Sequence, residues 1–310
     1  VKNHSLGTAG RFRRSRSLGR TWENMIPKLL LACALISVFT TLGIIGTLIS
    51  ETTSFFSQVS FGEFFTETKW TALFHESQQH FGVWPLIAGT LLVTGIAAIV
   101  AVPIGLASAI YLSEYANPKV SKVLKPILEV LAGVPTIVYG FFALTFVTPL
   151  LRGLLPEMGV FNALSAGIVV GIMIIPLIAS LSEDAMSAVP KNIREAAYAM
   201  GCTKFEVALK VVVPAALSGI IASFVLGLSR AIGETMIVTI AAGSTPQLTL
   251  DPTESVQTMT SFIVQAATGD NSFGSTAYGA IYAVGMTLFL FTLVMNLLAQ
   301  YISRRFKEEY

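Results

Sequence analysis

The chain has 310 residues, of which 53% are hydrophobic and 12% charged, with a net charge of +2. Soluble domains average about 25% charged residues, so the composition excludes an ordinary soluble enzyme, a secreted disulfide scaffold and a disordered regulator. So small a net charge gives no basis for nucleic-acid binding, and the two cysteines, Cys33 and Cys202, are too few for a metal cluster or a disulfide framework.

A bilayer core of ~30 Å requires about 20 apolar residues in helical form. Charge-free windows of that size recur at 29–50, 81–113, 130–151, 158–182, 211–229 and 271–303, which predicts an all-α polytopic membrane protein with six transmembrane helices. The first window is too long for a signal-peptide core and lacks a small-residue cleavage site, so it is an uncleaved span. The fifth helix is expected to continue through Arg230 and Glu234 to about 242, because the apolar pattern resumes at Met236.

Basic residues assign the sides. The tail over 1–28 carries Lys2, Arg11, Arg13, Arg14, Arg16, Arg20 and Lys28. Lys119, Lys122 and Lys125 lie in the second connection, and Lys191, Arg194, Lys204 and Lys210 in the fourth. Arg304, Arg305 and Lys307 lie in the tail over 304–310. Against these seventeen, the other connections hold only Lys69 and Arg152, so both termini are expected in the cytoplasm. The chain divides accordingly into a basic cytoplasmic tail over 1–28, a transmembrane domain over 29–303 and a second tail over 304–310. The basic tail is a topology anchor that contacts anionic membrane lipid rather than nucleic acid.

Outer loops at 51–80 and 243–270 carry an acidic face that includes Glu51, Glu63, Glu67, Asp251 and Glu254. His75 and His80 stand five apart, one residue too far for adjacent turns of a helix, which favours solvated histidines over a metal site. Glu129 falls at the start of the third span, where an acidic residue suits the positive end of a helix. Gly167-x-x-x-Gly171 permits close helix packing, and Pro103, Pro135 and Pro176 are candidate kinks.

There is no Gly-Lys dipeptide for a nucleotide-binding loop, no nucleophile elbow and no His-Glu-x-x-His pair, so the chain offers no catalytic apparatus. The fourth connection, 182–210, is a long polar loop between two apolar spans, and loops of that length tend to be functional. Pro190 suits the first turn of a helix, and Gly201 suits its end. Glu195-Ala196-Ala197, Gly201 and Val211-x-Val213-Pro214 follow one another at the spacing of a known signature. The run resembles the Glu-Ala-Ala loop of permease subunits of bacterial ABC importers, with valines at two positions where the family has other aliphatics. A small-faced helix with Ala196 and Ala197 fits a groove of another protein; the plainer alternative is a loop helix that packs under its own bundle.

The other informative run is Ser229-Arg230-Ala231-Ile232-Gly233-Glu234-Thr235. Sixteen residues beyond Pro214 place Arg230 about 24 Å along a helix, near mid-membrane. Arg230 and Glu234 are four apart and share a helical face, so they are expected to pair. A charge there costs roughly 2.5–3.5 kcal/mol even on lenient scales and usually lines a cavity; the alternative is an ion pair that holds helices together. Thr136 and Tyr139 are polar groups that fit either a pathway or interhelical hydrogen bonding.

Leu226-Gly227-Leu228 before Arg230, Met236 after it, Gly133-Val134-Pro135-Thr136-Ile137-Val138-Tyr139-Gly140, Ile174-Ile175-Pro176 and Gly201-Cys202-Thr203 all resemble phosphate-specific ABC importer permeases of the PstC type. The resemblance covers roughly 84–301. It implies a type I ABC importer permease fold in the bacterial inner membrane, forming half of a pathway for inorganic phosphate. It also implies a second permease subunit of the PstA type, an ATPase dimer of the PstB type and a phosphate-binding protein of the PstS type. ATP and Mg²⁺ would then belong to the ATPase, with no cofactor on this chain. Substrate contact is implied for Arg230, Glu234, Thr136 and Tyr139, and ATPase coupling for Glu195, Ala196, Ala197, Gly201 and Pro214. Rival readings are a permease for molybdate or sulfate, and a membrane scaffold or sensor of phosphate supply.

Overall fold

The structure, a computed structural model, describes residues 18–272 and 274–305. The basic positions Lys2, Arg11, Arg13, Arg14, Arg16 and Lys307 lie outside the described residues. The chain divides into two units at Ser50–Glu51. In the first, α1 (Leu18–Gln58) supplies a single apolar helix whose Leu29, Ile36, Phe39 and Leu42 are exposed, as on any helix without a neighbour in its own unit.

The second unit is helical, with one antiparallel bridge between Trp70 and Phe81. Among the described residues, five helices are long and apolar enough to cross a membrane, or six when a bent pair counts as one span. The expected all-α polytopic fold is therefore correct. The segment before the second span is more ordered than its Ser/Thr/Glu composition implied. Short α2 (Phe61–Thr66) and the last turns of α1 bring Phe55, Phe64, Trp70 and Phe81 into an edge-to-face aromatic cluster, a preferred geometry for quadrupolar rings. His80 in this segment pairs with Glu67, Nδ1 to Oε1 at 2.5 Å.

Two spans form the spine, α3 (Trp84–Ile110) and α7 (Ala163–Ser187). Their contact runs through Gly167 and Gly171. A Cβ on Gly167 would lie 2.6 Å from the Cβ of Ile96, and one on Gly171 3.0 Å from the carbonyl oxygen of Ala97. Small residues let two backbones approach where no water-driven force pulls them together. Gly171→Leu is expected to cost at least the ~1–3 kcal/mol of an overpacked core, seen as a shift from monodisperse to aggregated material in fluorescence-detected size exclusion.

The third span corrects the sequence reading. Lys119, Lys122, Lys125 and Glu129 belong not to a connection and a span start but to an amphipathic helix, α4 (Pro118–Ala132). Asn117 caps it by accepting from the backbone N–H of Lys119 and Val120 at 3.1 and 2.9 Å, with Pro118 at the first helical position. Proline lacks an N–H and pushes its predecessor out of the helical region, so the chain breaks at Gly133-Val134-Pro135. It resumes as α5 (Thr136–Phe142), a π-helical turn (Ala143–Val147) and α6 (Thr148–Leu154).

The polar loop holds α8 (Lys191–Ala199) and α9 (Lys204–Val207), followed by a π-helical turn (Ala208–Val212) and α10 (Val213–Ala215). A bend of 74° then leads into α11 (Leu217–Ile232). The expected continuous fifth helix is also corrected: α11 stops at Gly233, and a separate short helix, α12 (Met236–Ala241), follows. The loop over 243–270 contains α13 (Met259–Thr268), and α14 (Thr276–Arg305) closes the fold. Hydroxyl contacts tie the bundle across helices, Ser182 to Ser223 at 2.6 Å and Ser229 to Asn296 at 2.9 Å.

Candidate functional site

One face of α7 presents Met173, Pro176, Leu177, Ser180 and Glu183, spaced as a helix repeats. One face of α4 presents Lys125, Leu128, Glu129 and Ala132. With Leu112 and Arg230 these residues enclose a cavity of about 190 Å³. At its Glu183 end, the Nζ of Lys125 lies 2.5 Å from Oε2 of Glu183, and Oε1 accepts from the Ser187 hydroxyl at 2.8 Å. The hydrogen bond to Glu183 holds the Lys125 ammonium above the ordinary lysine range. This ion pair tethers α4, which lies outside the spanning helices, to α7.

Arg230 stands in the last turn of α11 and is exposed on the single chain. Among the described residues it has no ion-pair or hydrogen-bond partner. The guanidinium therefore keeps its planar fork of donors for something else, a geometry suited to oxyanion oxygens.

The expected Arg230–Glu234 pair does not form. The break at Gly233 takes Glu234 off the face that Arg230 occupies. Glu234 is buried, and its Oε1 accepts from the backbone N–H of Met236 and Ile237 at 3.1 and 3.3 Å. Its carboxylate thus caps the positive end of α12, while its carbonyl accepts from the Thr260 hydroxyl at 2.7 Å. Tyr139 is buried and donates its hydroxyl to the carbonyl of Leu131 at 2.9 Å, bridging the break between α4 and α5. Thr136 is the first residue of α5. Neither Thr136, Tyr139 nor Glu234 is among the residues lining the Arg230 cavity.

Sequence reasoning missed Lys125, Ser180 and Glu183. The helix-period spacing of 173–183 and the Asn117-Pro118 start of α4 were the available signals. Glu129 also needs correction: it sits in the C-terminal turn of α4, where the helix dipole opposes a carboxylate.

The polar loop forms a second site. α8 ends in a Schellman turn, with the N–H of Gly201 donating to Tyr198 and that of Cys202 to Ala197 at 2.9 and 3.2 Å. Gly201 has φ +86°. Arg194 anchors this loop: its Nη2 lies 3.0 Å from Oε1 of Glu114 at the end of the second span and 2.7 Å from the carbonyl of Met186. The loop helix thus has two faces. Ala197 is buried against Val189, Val207, Val212 and Ile220, so it packs within its own chain and is not open to an external groove. Glu195 and Ala196 point outward, beside Met200 and Phe205, which are 79% and 63% exposed. Pro214 lies in α10, just ahead of the 74° bend.

Comparison with known proteins gives this arrangement its class. Residues 101–308 match the family described as binding-protein-dependent transport system inner membrane component. The chain is 36% identical to the probable ABC transporter permease protein YqgH of Bacillus subtilis over 298 residues, covering 95% of this chain and 94% of that protein. It is 34% identical to the phosphate transport system permease protein PstC of Haemophilus influenzae, covering 77% and 80% respectively. Among solved structures, the fold is similar to a bacterial ABC transporter that imports alginate, with a TM-score of 0.63, 16% identity and coverage of 93% of this chain and 100% of that one. A similar likeness holds to the methionine transporter MetNI in its inward-facing state, at TM-score 0.54 and 19% identity, over 73% of this chain and 95% of that one. The chain belongs to the family of inner-membrane components of binding-protein-dependent transport systems, as a permease subunit of an ABC importer.

Proposed function

We propose that this permease carries inorganic phosphate inward, with Arg230 as an anion contact along the route. One observation carries the reading: a guanidinium with no ion-pair or hydrogen-bond partner among the described residues lines a cavity between helices of the bundle. The shared sequence with PstC proteins supports phosphate as the anion. An unpaired Arg in a membrane is costly, and a scaffold or sensor has no use for it.

In this reading the chain pairs with a second permease subunit of the PstA type. An ATPase dimer of the PstB type, which binds ATP and Mg²⁺, docks against Glu195, Ala196 and the exposed Met200 and Phe205. A phosphate-binding protein of the PstS type delivers the anion at the acidic face, which by itself would repel a free anion. Both termini then lie in the cytoplasm, and the Glu183 end of the cavity faces the ATPase.

The test is ATP-driven uptake of radiolabelled phosphate by cells that carry the intact importer. With labelled phosphate at a saturating concentration, a hundredfold excess of unlabelled phosphate is expected to dilute labelled uptake about a hundredfold, by mass action. The same excess of sulfate or molybdate is expected to change it less than twofold. Equal suppression by sulfate would replace phosphate with a broader oxyanion class.

A further inference from the structure

Two cations and two carboxylates line the Arg230 cavity, and one of each is in contact. Lys125 and Glu183 neutralise each other, which leaves Arg230 and Glu129 facing the same space. Among the described residues, Glu129 has no side-chain hydrogen bond or ion pair within 4.0 Å, although its charge acts on Lys125 one turn away. It also sits at the negative end of its helix, a position that the dipole disfavours. A free carboxylate beside an anion site costs binding energy for any ligand that offers only negative oxygens.

A ligand with a hydroxyl reverses that sign. Inorganic phosphate keeps at least one P–OH throughout the neutral pH range, as does arsenate. Sulfate and molybdate carry none. An ionised carboxylate only accepts hydrogen bonds, and an O–H···O⁻ bond is among the strong, short ones. The same carboxylate repels an oxyanion that lacks a proton. A site built around one hydroxyl donor rejects the analogue without it far more strongly than shape alone allows.

We propose that Glu129 is the specificity-determining residue of this cavity: it accepts a hydrogen bond from the P–OH of phosphate while Arg230 donates to the deprotonated oxygens, so that proton-bearing oxyanions are admitted and sulfate and molybdate are refused. The inference rests on the reading that the cavity holds phosphate. Lys125 and Glu129 share one face of α4, so the Lys125–Glu183 tether to α7 acts as a positioning contact for the acceptor.

The experiment is equilibrium binding of radiolabelled phosphate to the complete importer in nanodiscs without its binding protein, in competition with unlabelled arsenate, sulfate or molybdate. In the wild type, arsenate is expected to displace phosphate and sulfate is not. In Glu129→Gln, whose amide both donates and accepts, phosphate affinity is expected to fall about tenfold or more and sulfate to compete within about threefold of arsenate. Glu129→Asp keeps the acceptor and should keep the exclusion of sulfate, which separates the effect from misfolding. Undiminished exclusion of sulfate by Glu129→Gln, with binding still dependent on Arg230, overturns the role of Glu129 alone. Phosphate binding that is absent from the wild type, or unchanged in Arg230→Gln, removes the cavity as a phosphate site and this inference with it.

Discussion

Gly201→Val is expected to abolish ATP-driven phosphate uptake while the subunit still inserts in the membrane. Gly201 closes the turn of α8 at φ +86°, and a Cβ there would meet nothing within 4 Å, so the penalty comes from the backbone alone. Left-handed geometry costs an ordinary L-residue roughly 1–2 kcal/mol, and a β-branched one is a genuine outlier there. The chain escapes by reopening the Schellman turn, which moves Glu195, Ala196 and Met200 relative to the anchor that Arg194 makes with Glu114. A graded series follows: Asn, which tolerates this region, should retain most uptake, Ala less and Val least. Co-purification with the ATPase and uptake per ATP hydrolysed are the readouts. Normal coupling in Gly201→Val would show that the loop does not transmit hydrolysis.

Arg230→Gln is expected to lower uptake by on the order of a hundredfold or more at matched membrane abundance. Two hydrogen bonds to charged groups at ~1.5–3 kcal/mol each correspond to a factor of that size. Arg230→Lys should also be badly impaired, since an ammonium keeps the charge but loses the planar fork. Because Glu234 caps α12 instead of pairing with Arg230, adding Glu234→Gln should rescue nothing. A glutamine carbonyl still accepts from the same backbone groups, so Glu234→Gln alone should be mild. Glu234→Ala loses the cap, at about 0.5–2 kcal/mol. Rescue of Arg230→Gln by Glu234→Gln would restore the ion-pair reading.

Hydropathy located the spans because burying a helix in lipid demands length and apolarity at every position. It misplaced what lies between them. α4 is amphipathic and carries three lysines, so a window that counts charges discards it, although Asn117-Pro118 marks its start. The fifth span looked continuous because Gly233 and Glu234 interrupt neither length nor hydropathy; the break depends on Glu234 folding back to cap α12, a tertiary choice supported by Thr260 from a distant segment. Gly167 and Gly171 were legible as packing residues, since close approach leaves no alternative to small side chains. Gly201 was legible for the same kind of reason, as a helix stop. The other residues of the Arg230 cavity were not, because Lys125, Glu129, Ser180 and Glu183 come together only when α4 folds against α7. Ala197 shows the limit of motif reading: its neighbour Ala196 faces outward while it packs inward.

That the Arg230 cavity is part of the phosphate route has one direct test. Ser180→Cys, introduced after Cys33 and Cys202 are replaced by Ser, places a thiol in the cavity wall. The importer carrying it is assembled with its ATPase and binding protein in proteoliposomes, treated with a negatively charged methanethiosulfonate and assayed for ATP-driven phosphate uptake. If phosphate passes this cavity, modification stops uptake, and phosphate under turnover slows the modification. Uptake at the untreated rate by fully modified protein would contradict the pathway.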